Sequence, residues 1–448
     1  MELKLTEVTK KYGQKAAVCS TGIKPRGRSM RKAVLTFLLL LSCIFTACVQ
    51  RTGDENTGAD FTPAPSDASE KSSEDFNNRF GMRYDGLAET GDAYYYLAYS
   101  GSYLYYFDKS TGDRGVLCSK PECLHDAYDD NEECGGYALT MGKSLNLWGG
   151  RLHFVAYSKA DRKYALYSVN PDGTDRKLDT LLALDEMESY GVPERYDYHR
   201  GMLYGWNQIE KVRAGEPLVQ TSILSFDPSN GQMNRIYEIE SSENYAVPIM
   251  FYYQQYVYFL LEKTAEEDGE LFRTIELRRW NIDTATVEEV FTEKADPDIG
   301  SRFSFWVESE DRIYLMPRSV REGTKQMLYL LSGGEFSELC EFGLRGNGYL
   351  SDNAALTFWT EDGEAQIEIR SFEGELVFEG SLDLKLVKDL RSNESDRIGF
   401  SSVILNGSDL IVCFNISGHE KKVFCPVKYD IQGSQEEAIL LAEYAQSK

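Results

Sequence analysis

LYYFDKSTG (residues 104–112), LYSVNPDG (166–173) and ILSFDPSNG (223–231) are three versions of one short text. Each is an apolar strand that ends on Asp or Asn and runs into a Gly-bearing turn. The turn has a physical reason: Asp or Asn caps its own backbone two residues on, Pro presets φ, and Gly takes the positive-φ position. The text recurs as LRRWNIDT (277–284), LYLLSGG (328–334), IRSFEGE (369–375) and VKYDIQG (427–433). The fifth and sixth copies have degenerate turns. Ahead of each copy stands a partner strand, at Ala93–Tyr99, Leu152–Tyr157, Met202–Trp206, Tyr256–Leu261, Arg312–Met316, Ala355–Trp359 and Asp409–Phe414.

The repeat returns at spacings of roughly forty to sixty residues, with room for four short strands each time. That period belongs to propeller blades and is too long for a sandwich. A blade cannot bury both faces alone, but seven packed around an axis hide them, so a long chain becomes one domain. The expected fold is all-β: a β-propeller of seven four-stranded blades over residues 80–448. The degenerate turns leave six or eight blades as alternatives. NPDGTDRKL (170–178) resembles turns of TolB-type and YWTD-type propellers. Residues 80–445 resemble propeller lipoproteins of anaerobic Firmicutes, a likeness that implies fold and says little of function.

Upstream, MRKAVLTFLLLLSCIFTAC (30–48) has the order of a secretory signal peptide: a basic start, an apolar run and small residues at its end. Its apolar run falls short of the ~20 residues of a spanning helix, although an uncleaved anchor is the alternative. The ending resembles the lipobox of bacterial lipoproteins, with Phe45 where that family carries an aliphatic residue. The resemblance implies acylation of Cys48 and a lipid-anchored protein at the cell membrane, facing the extracytoplasmic side. Residues 49–79, rich in Asp, Ser, Pro and Gly, cannot bury a core and read as a flexible tether.

Residues 1–29 make an unusual leader. MELKLTEVTKKYGQKAAV (1–18) resembles the opening strand of an ABC-transporter ATPase, which implies such a transporter as a partner. The phosphate-cradling G-x-x-x-x-G-K-[ST] loop of that family is absent: ahead of Gly142-Lys143-Ser144 the nearest glycine is Gly136, one residue too far. Nucleotide binding is rejected, and translation is expected to start at Met30. Residues 1–48 carry nine Lys or Arg against two acidic residues, so the whole-chain charge of −24 leaves the remainder near −31. Such a surface repels nucleic acid and anionic head groups and suits cations, basic peptides or neutral glycans.

One segment stands outside the repeat. CSKPECLHDAYDDNEEC (118–134), within an insertion over 118–136, joins the first blade to the second. Cys118, Cys123, His125 and Cys134 offer three thiolates and an imidazole, a donor set for tetrahedral zinc, although C-x4-C-x-H-x8-C is not the paired C-x2-C knuckle. The alternative is a disulfide between two of the three cysteines, with Cys340 open to the third. Free thiols, or a Cys123 activated by His125, are further readings. A similar Cys-x-Lys-Pro-Glu-Cys-x-His segment marks the same Firmicutes lipoproteins. Cys413 and Cys425 each lie six residues from His419, and a hairpin centred there would set them opposite, within disulfide reach. The alternative is two small buried residues. Cys19 and Cys43 fall in segments removed on processing.

No G-x-S-x-G elbow, H-E-x-x-H pair or EF-hand loop occurs. His153, His199 and His419 stand singly and read as structural. Asp85, Glu89, Asp197 and Glu308 are the carboxylates expected near the axis, without a recognisable motif. Trp148, Trp206, Trp280, Trp306 and Trp359 are expected to pack between blades. The function these readings favour is a non-enzymatic, surface-anchored lipoprotein whose propeller binds a protein or a glycan. The alternative is an extracellular hydrolase or metal-dependent enzyme with an axial site.

Overall fold

The computed structural model describes residues 86–447, apart from 99–100, 126–130, 140–144, 183–194, 214–215, 242–243, 246–247, 268–269, 296–300, 321–324, 344–345, 353, 362–363, 419–420 and 433–437. The signal segment, Cys48, the tether, Asp85 and His419 lie outside the described residues.

Seven antiparallel sheets follow one another along the chain, each built from consecutive strands. Blade 1 is Gly86–Glu89, Ala93–Leu97, Leu104–Asp108 and Arg114–Val116. Blade 2 is Leu145–Trp148, Arg151–Ser158, Lys163–Val169 and Lys177–Leu181. Blade 3 is Arg195–His199, Met202–Arg213, Glu216–Asp227 and Gln232–Ser241. Blade 4 is Ile249–Tyr253, Tyr256–Glu267, Glu270–Asn281 and Thr286–Ala295, with Asn244–Tyr245 added beside its second strand. Blade 5 is Ser301–Ser309, Arg312–Ser319, Gln326–Ser332 and Glu335–Phe342. Blade 6 is Asn347–Ser351, Ala354–Glu361, Glu364–Ser371 and Leu376–Leu382, and a short helix, Lys385–Asp389, follows it. Blade 7 is Arg397–Asn406, Asp409–Ser417 and Lys421–Asp430, whose outer edge is completed by Ile439–Leu440 and Tyr444–Ser447. The fold is a seven-bladed β-propeller. The strand pairs legible in the sequence are the second and third strands of every blade.

Those two strands are legible because both their faces are covered. Successive side chains of a strand point to opposite faces. In blade 2, Leu152 packs with blade 1, while the next residue, His153, stacks on Tyr198 of blade 3 at 4.3 Å. In blade 5 the equivalent pair is Ile313, clustered with blade 4, and Tyr314, stacked on Phe372 of blade 6 at 3.8 Å. Tyr204 of blade 3 likewise meets Tyr252 of blade 4. Trp206 and Trp306 are buried in these inter-blade clusters.

The turns after the third strands have the expected chemistry. Asp108 Oδ1 accepts from the Ser110 and Thr111 amides, and Asp227 Oδ1 from the Ser229 amide. Gly112 and Gly231 close these turns at φ of +75° and +73°. Blade 4 departs from this rule: Asn281 Oδ1 accepts from the Asp283 and Thr284 amides, but Ala285 holds the left-handed position at φ +53°.

Among the described residues, blades 1 and 7 meet without sharing a strand. The Tyr94 hydroxyl donates to Asp409 at 2.9 Å, Asn406 Nδ2 to Glu89 at 2.7 Å, and Arg114 to the Leu440 carbonyl at 2.6 Å. Beneath these bonds Leu87, Tyr96 and Phe107 of blade 1 are buried against Ile411, Cys413 and Phe424 of blade 7.

The cross-strand disulfide expected between Cys413 and Cys425 is not supported by the register. Cys413 pairs with Pro426 and Cys425 with Phe414, one residue out of the expected alignment. The two thiols therefore lie on opposite faces, Cys413 against blade 1 and Cys425 against blade 6. A slip of one residue suffices, because side chains alternate with period two.

Two outcomes follow for stability. Ala285→Gly relieves a left-handed alanine and is expected to stabilise the protein by about 1 kcal/mol, read from urea unfolding. His199 is buried at the end of the first strand of blade 3, and its Nε2 meets the Gln254 carbonyl at 2.9 Å. Burial pulls its pKa down to about 4. The contribution of the neutral ring is complete above its unfolded value of about 6.5 and is lost as pH falls towards 4. Stability is expected to fall across that window, by up to about 3 kcal/mol from this ring, and His199→Gln should flatten the fall.

Candidate metal centre

The insertion between blades 1 and 2 is fixed at several points. Cys118 follows the outer strand of blade 1, and Ser119 Oγ donates to the Gly173 carbonyl in the turn of blade 2. Returning, the chain runs beside residues 102–104: the Leu104 amide donates to Gly136 and the Ala138 amide to Ser102. A β-carbon on Gly135 would lie 2.1 Å from the Gly173 carbonyl oxygen, and one on Gly136 would lie 2.5 Å from that of Leu117. Only glycine permits so close a backbone approach.

This path brings Cys118, Cys123, His125 and Cys134 together, with one donor atom from each lying within 4.8 Å of all the others. A tetrahedron with zinc–sulfur bonds of ~2.3 Å has edges of about 3.8 Å, so contraction by about 1 Å would close it. His125 takes φ +55°, the left-handed turn that accommodates a three-residue Cys123–His125 chelate. Its Nε2 is buried and has no hydrogen-bond partner among the described residues. A buried ring nitrogen in that state carries a desolvation cost that a bound cation would offset. The group can hold a metal. Cys118, Cys123 and Cys134 form no disulfide.

The sulfurs are not equivalent. Burial would raise the Cys118 thiol, but the imidazole of His125 and backbone groups at Lys120 and Gly135 outweigh it and bring the pKa down to about 6. Burial pushes Cys134 up to about 12. Asn131 Nδ2 lies 3.4 Å from Cys123 Sγ and the same distance from the Tyr103 hydroxyl, and Tyr103 meets His125 edge-on. Arg176 of blade 2 stacks over Tyr167 and donates to the carbonyls of Glu132 and Tyr137, on either side of Cys134. Sequence reasoning missed Arg176 and Asn131. Arg176 reads as an ordinary turn charge, and only the packing of two blades shows what it holds.

Other expected site residues are bound into the fold. Cys340 sits in the outer strand of blade 5, half-buried, with its β-carbon 3.0 Å from where a β-carbon on Gly374 of blade 6 would lie. Glu89 binds Lys109 and Asn406, Asp197 accepts from Tyr252, and Glu308 binds Arg312. A polar hollow of about 240 Å³ opens between blades 4 and 5 beside Arg279, Glu289, Glu310 and Asp311. Its arginine is already paired with Glu288 and Glu310.

No family model and no curated protein matches this sequence. Its fold is similar to the β-propeller domain of the Trilobed protease from Pyrococcus furiosus, which has an open velcro topology. The TM-score is 0.45 at 12% identity, over 81% of this chain and 99% of that one. It is also similar to prolyl endopeptidases, at TM-score 0.43 and 10% identity, over 85% of this chain and 53% of theirs. A third similar structure is the sucrose-6-phosphate hydrolase from Lactobacillus gasseri, at TM-score 0.30 and 10% identity, over 68% of this chain and 79% of that one. At these identities the likeness is one of fold alone.

Removing the clamp on Cys134 should loosen the site. Arg176→Ala is expected to weaken zinc binding by about 10- to 100-fold, measured by competition with a chromophoric chelator, with the strand signal in circular dichroism unchanged.

Proposed function

We propose that the protein is a lipid-anchored binding propeller whose insertion is stapled by zinc. The convergence of three sulfurs and an orphaned imidazole nitrogen on one point supports the zinc staple, and the lipid anchor and partner rest on the sequence readings. Three sulfurs and one nitrogen suit zinc, and four protein donors leave no coordination position open to a substrate. Zinc here would be structural. It would cross-link the two ends of the insertion after blade 1, Cys118 to His125 on one side and Cys134 on the other. Cys48 would carry the lipid, the tether would hold the propeller off the membrane, and loops of successive blades would meet a protein or glycan. An ABC transporter is the partner that residues 1–18 favour.

A second reading, a metal- or thiol-dependent hydrolase, draws on the low pKa of Cys118 beside His125, the arrangement of an activated thiolate. It requires a Cys118 that turns over esters, peptides or glycosides.

Native mass spectrometry of the reduced protein should find one zinc per chain, lost in His125→Ala, and chelation should lower Tm. A metal-free protein with hydrolytic turnover abolished by Cys118→Ser would replace the first reading with the second. Cys48→Ser should move the protein from the membrane fraction to the soluble fraction and end incorporation of a palmitate analogue.

A further inference from the structure

Three thiols around one point can do more than hold a cation. Resting on the zinc reading above, we propose that the centre is a reversible oxidation site in which Cys118 and Cys123 close a disulfide and release the metal.

Access and chain geometry select this pair. Cys118 and Cys123 are partly exposed, whereas Cys134 is fully buried against Tyr103 and Tyr137. Arg176 holds the backbone on both sides of Cys134. Cys118 and Cys123 are separated by four residues whose turn is already formed, with the Cys123 amide donating to the Lys120 carbonyl at 3.2 Å. Their sulfurs start within 4.8 Å of each other, so moving this short exposed turn brings them into bonding range without disturbing a blade. Leu124, between Cys123 and His125, is 79% exposed, so its side chain does not anchor the turn.

The oxidant is a small-molecule disulfide such as oxidised glutathione. One zinc-bound thiolate attacks a sulfur of the oxidant, forming a mixed disulfide and expelling one glutathione thiolate. The second protein thiolate attacks the protein sulfur of that mixed disulfide and expels the other. Two protein thiolates are oxidised, one glutathione disulfide is reduced to two thiolates, and Zn²⁺ leaves. The expelled thiolates take protons from water. Cys134 and His125 remain, and two donors hold zinc far more weakly than four.

The test treats the zinc-loaded, full-length protein with oxidised glutathione and follows released zinc with a chromophoric chelator. It also maps disulfides by peptide mass. The expected result is loss of one equivalent of zinc, a Cys118–Cys123 cross-link with Cys134 still alkylatable after unfolding, and recovery on adding reductant and zinc. Cys134→Ser should form the same cross-link, while Cys123→Ser should not. A protein that keeps its zinc under the oxidant, or whose cross-link contains Cys134, overturns the inference and leaves the zinc reading standing. A fully reduced protein that takes up no zinc overturns both.

Discussion

Every blade of this protein has two faces that cannot meet water, and that constraint organises the rest. Leu152 and His153 are neighbours on one strand, yet the first belongs to the interface with blade 1 and the second to the interface with blade 3. No blade is stable as an isolated sheet with both such faces uncovered, because the apolar area on each side would be solvated. The ring meets the requirement only if its two ends also cover each other. Tyr94 with Asp409, Asn406 with Glu89 and the apolar cluster beneath them do this. Polar groups at such a seam must be satisfied, and Tyr94, Asn406 and Arg114 each find an acceptor across it.

The same constraint explains what could be read beforehand. Second and third strands are covered on both faces and are joined to a Gly-bearing turn in most blades, so all seven pairs stood out. First strands such as Gly86–Glu89 are four or five residues long in most blades, and fourth strands alternate with solvent-exposed charge. Neither leaves a strong mark. The count survived the degenerate fifth and sixth turns because Gly333, Gly334 and Gly374 still supply positive φ without the Asp. The Cys413–Cys425 pair was misjudged because symmetry about His419 fixes the sequence midpoint of a hairpin and leaves its register free.

The metal centre was legible as a donor set and illegible as a place. Spacing named Cys118, Cys123, His125 and Cys134 but could not choose between a metal and a disulfide. What favours the metal is three-dimensional: a left-handed His125, an imidazole nitrogen without a partner among the described residues, and glycines at 135 and 136 packed too tightly for any side chain. Tyr103 and Asn131 support it from blade 1 and the insertion, whereas Arg176, which holds the backbone around Cys134, comes from the next blade. It lies beside the outer strand of blade 1.

A ring whose first and last blades meet through side chains, with no described strand shared between them, has a topological consequence. Each blade is a complete loop of the path, so no blade is the beginning in any structural sense. The described chain starts and stops in adjacent blades, and the same circle could be cut at another junction and rejoined across the present seam with every sheet intact. Gain or loss of a whole repeat would likewise leave each remaining sheet complete. The ring's circumference would then be set by how blades wedge together. In such an architecture the insertion between blades 1 and 2 is the landmark that breaks the rotational equivalence and gives the wheel an orientation.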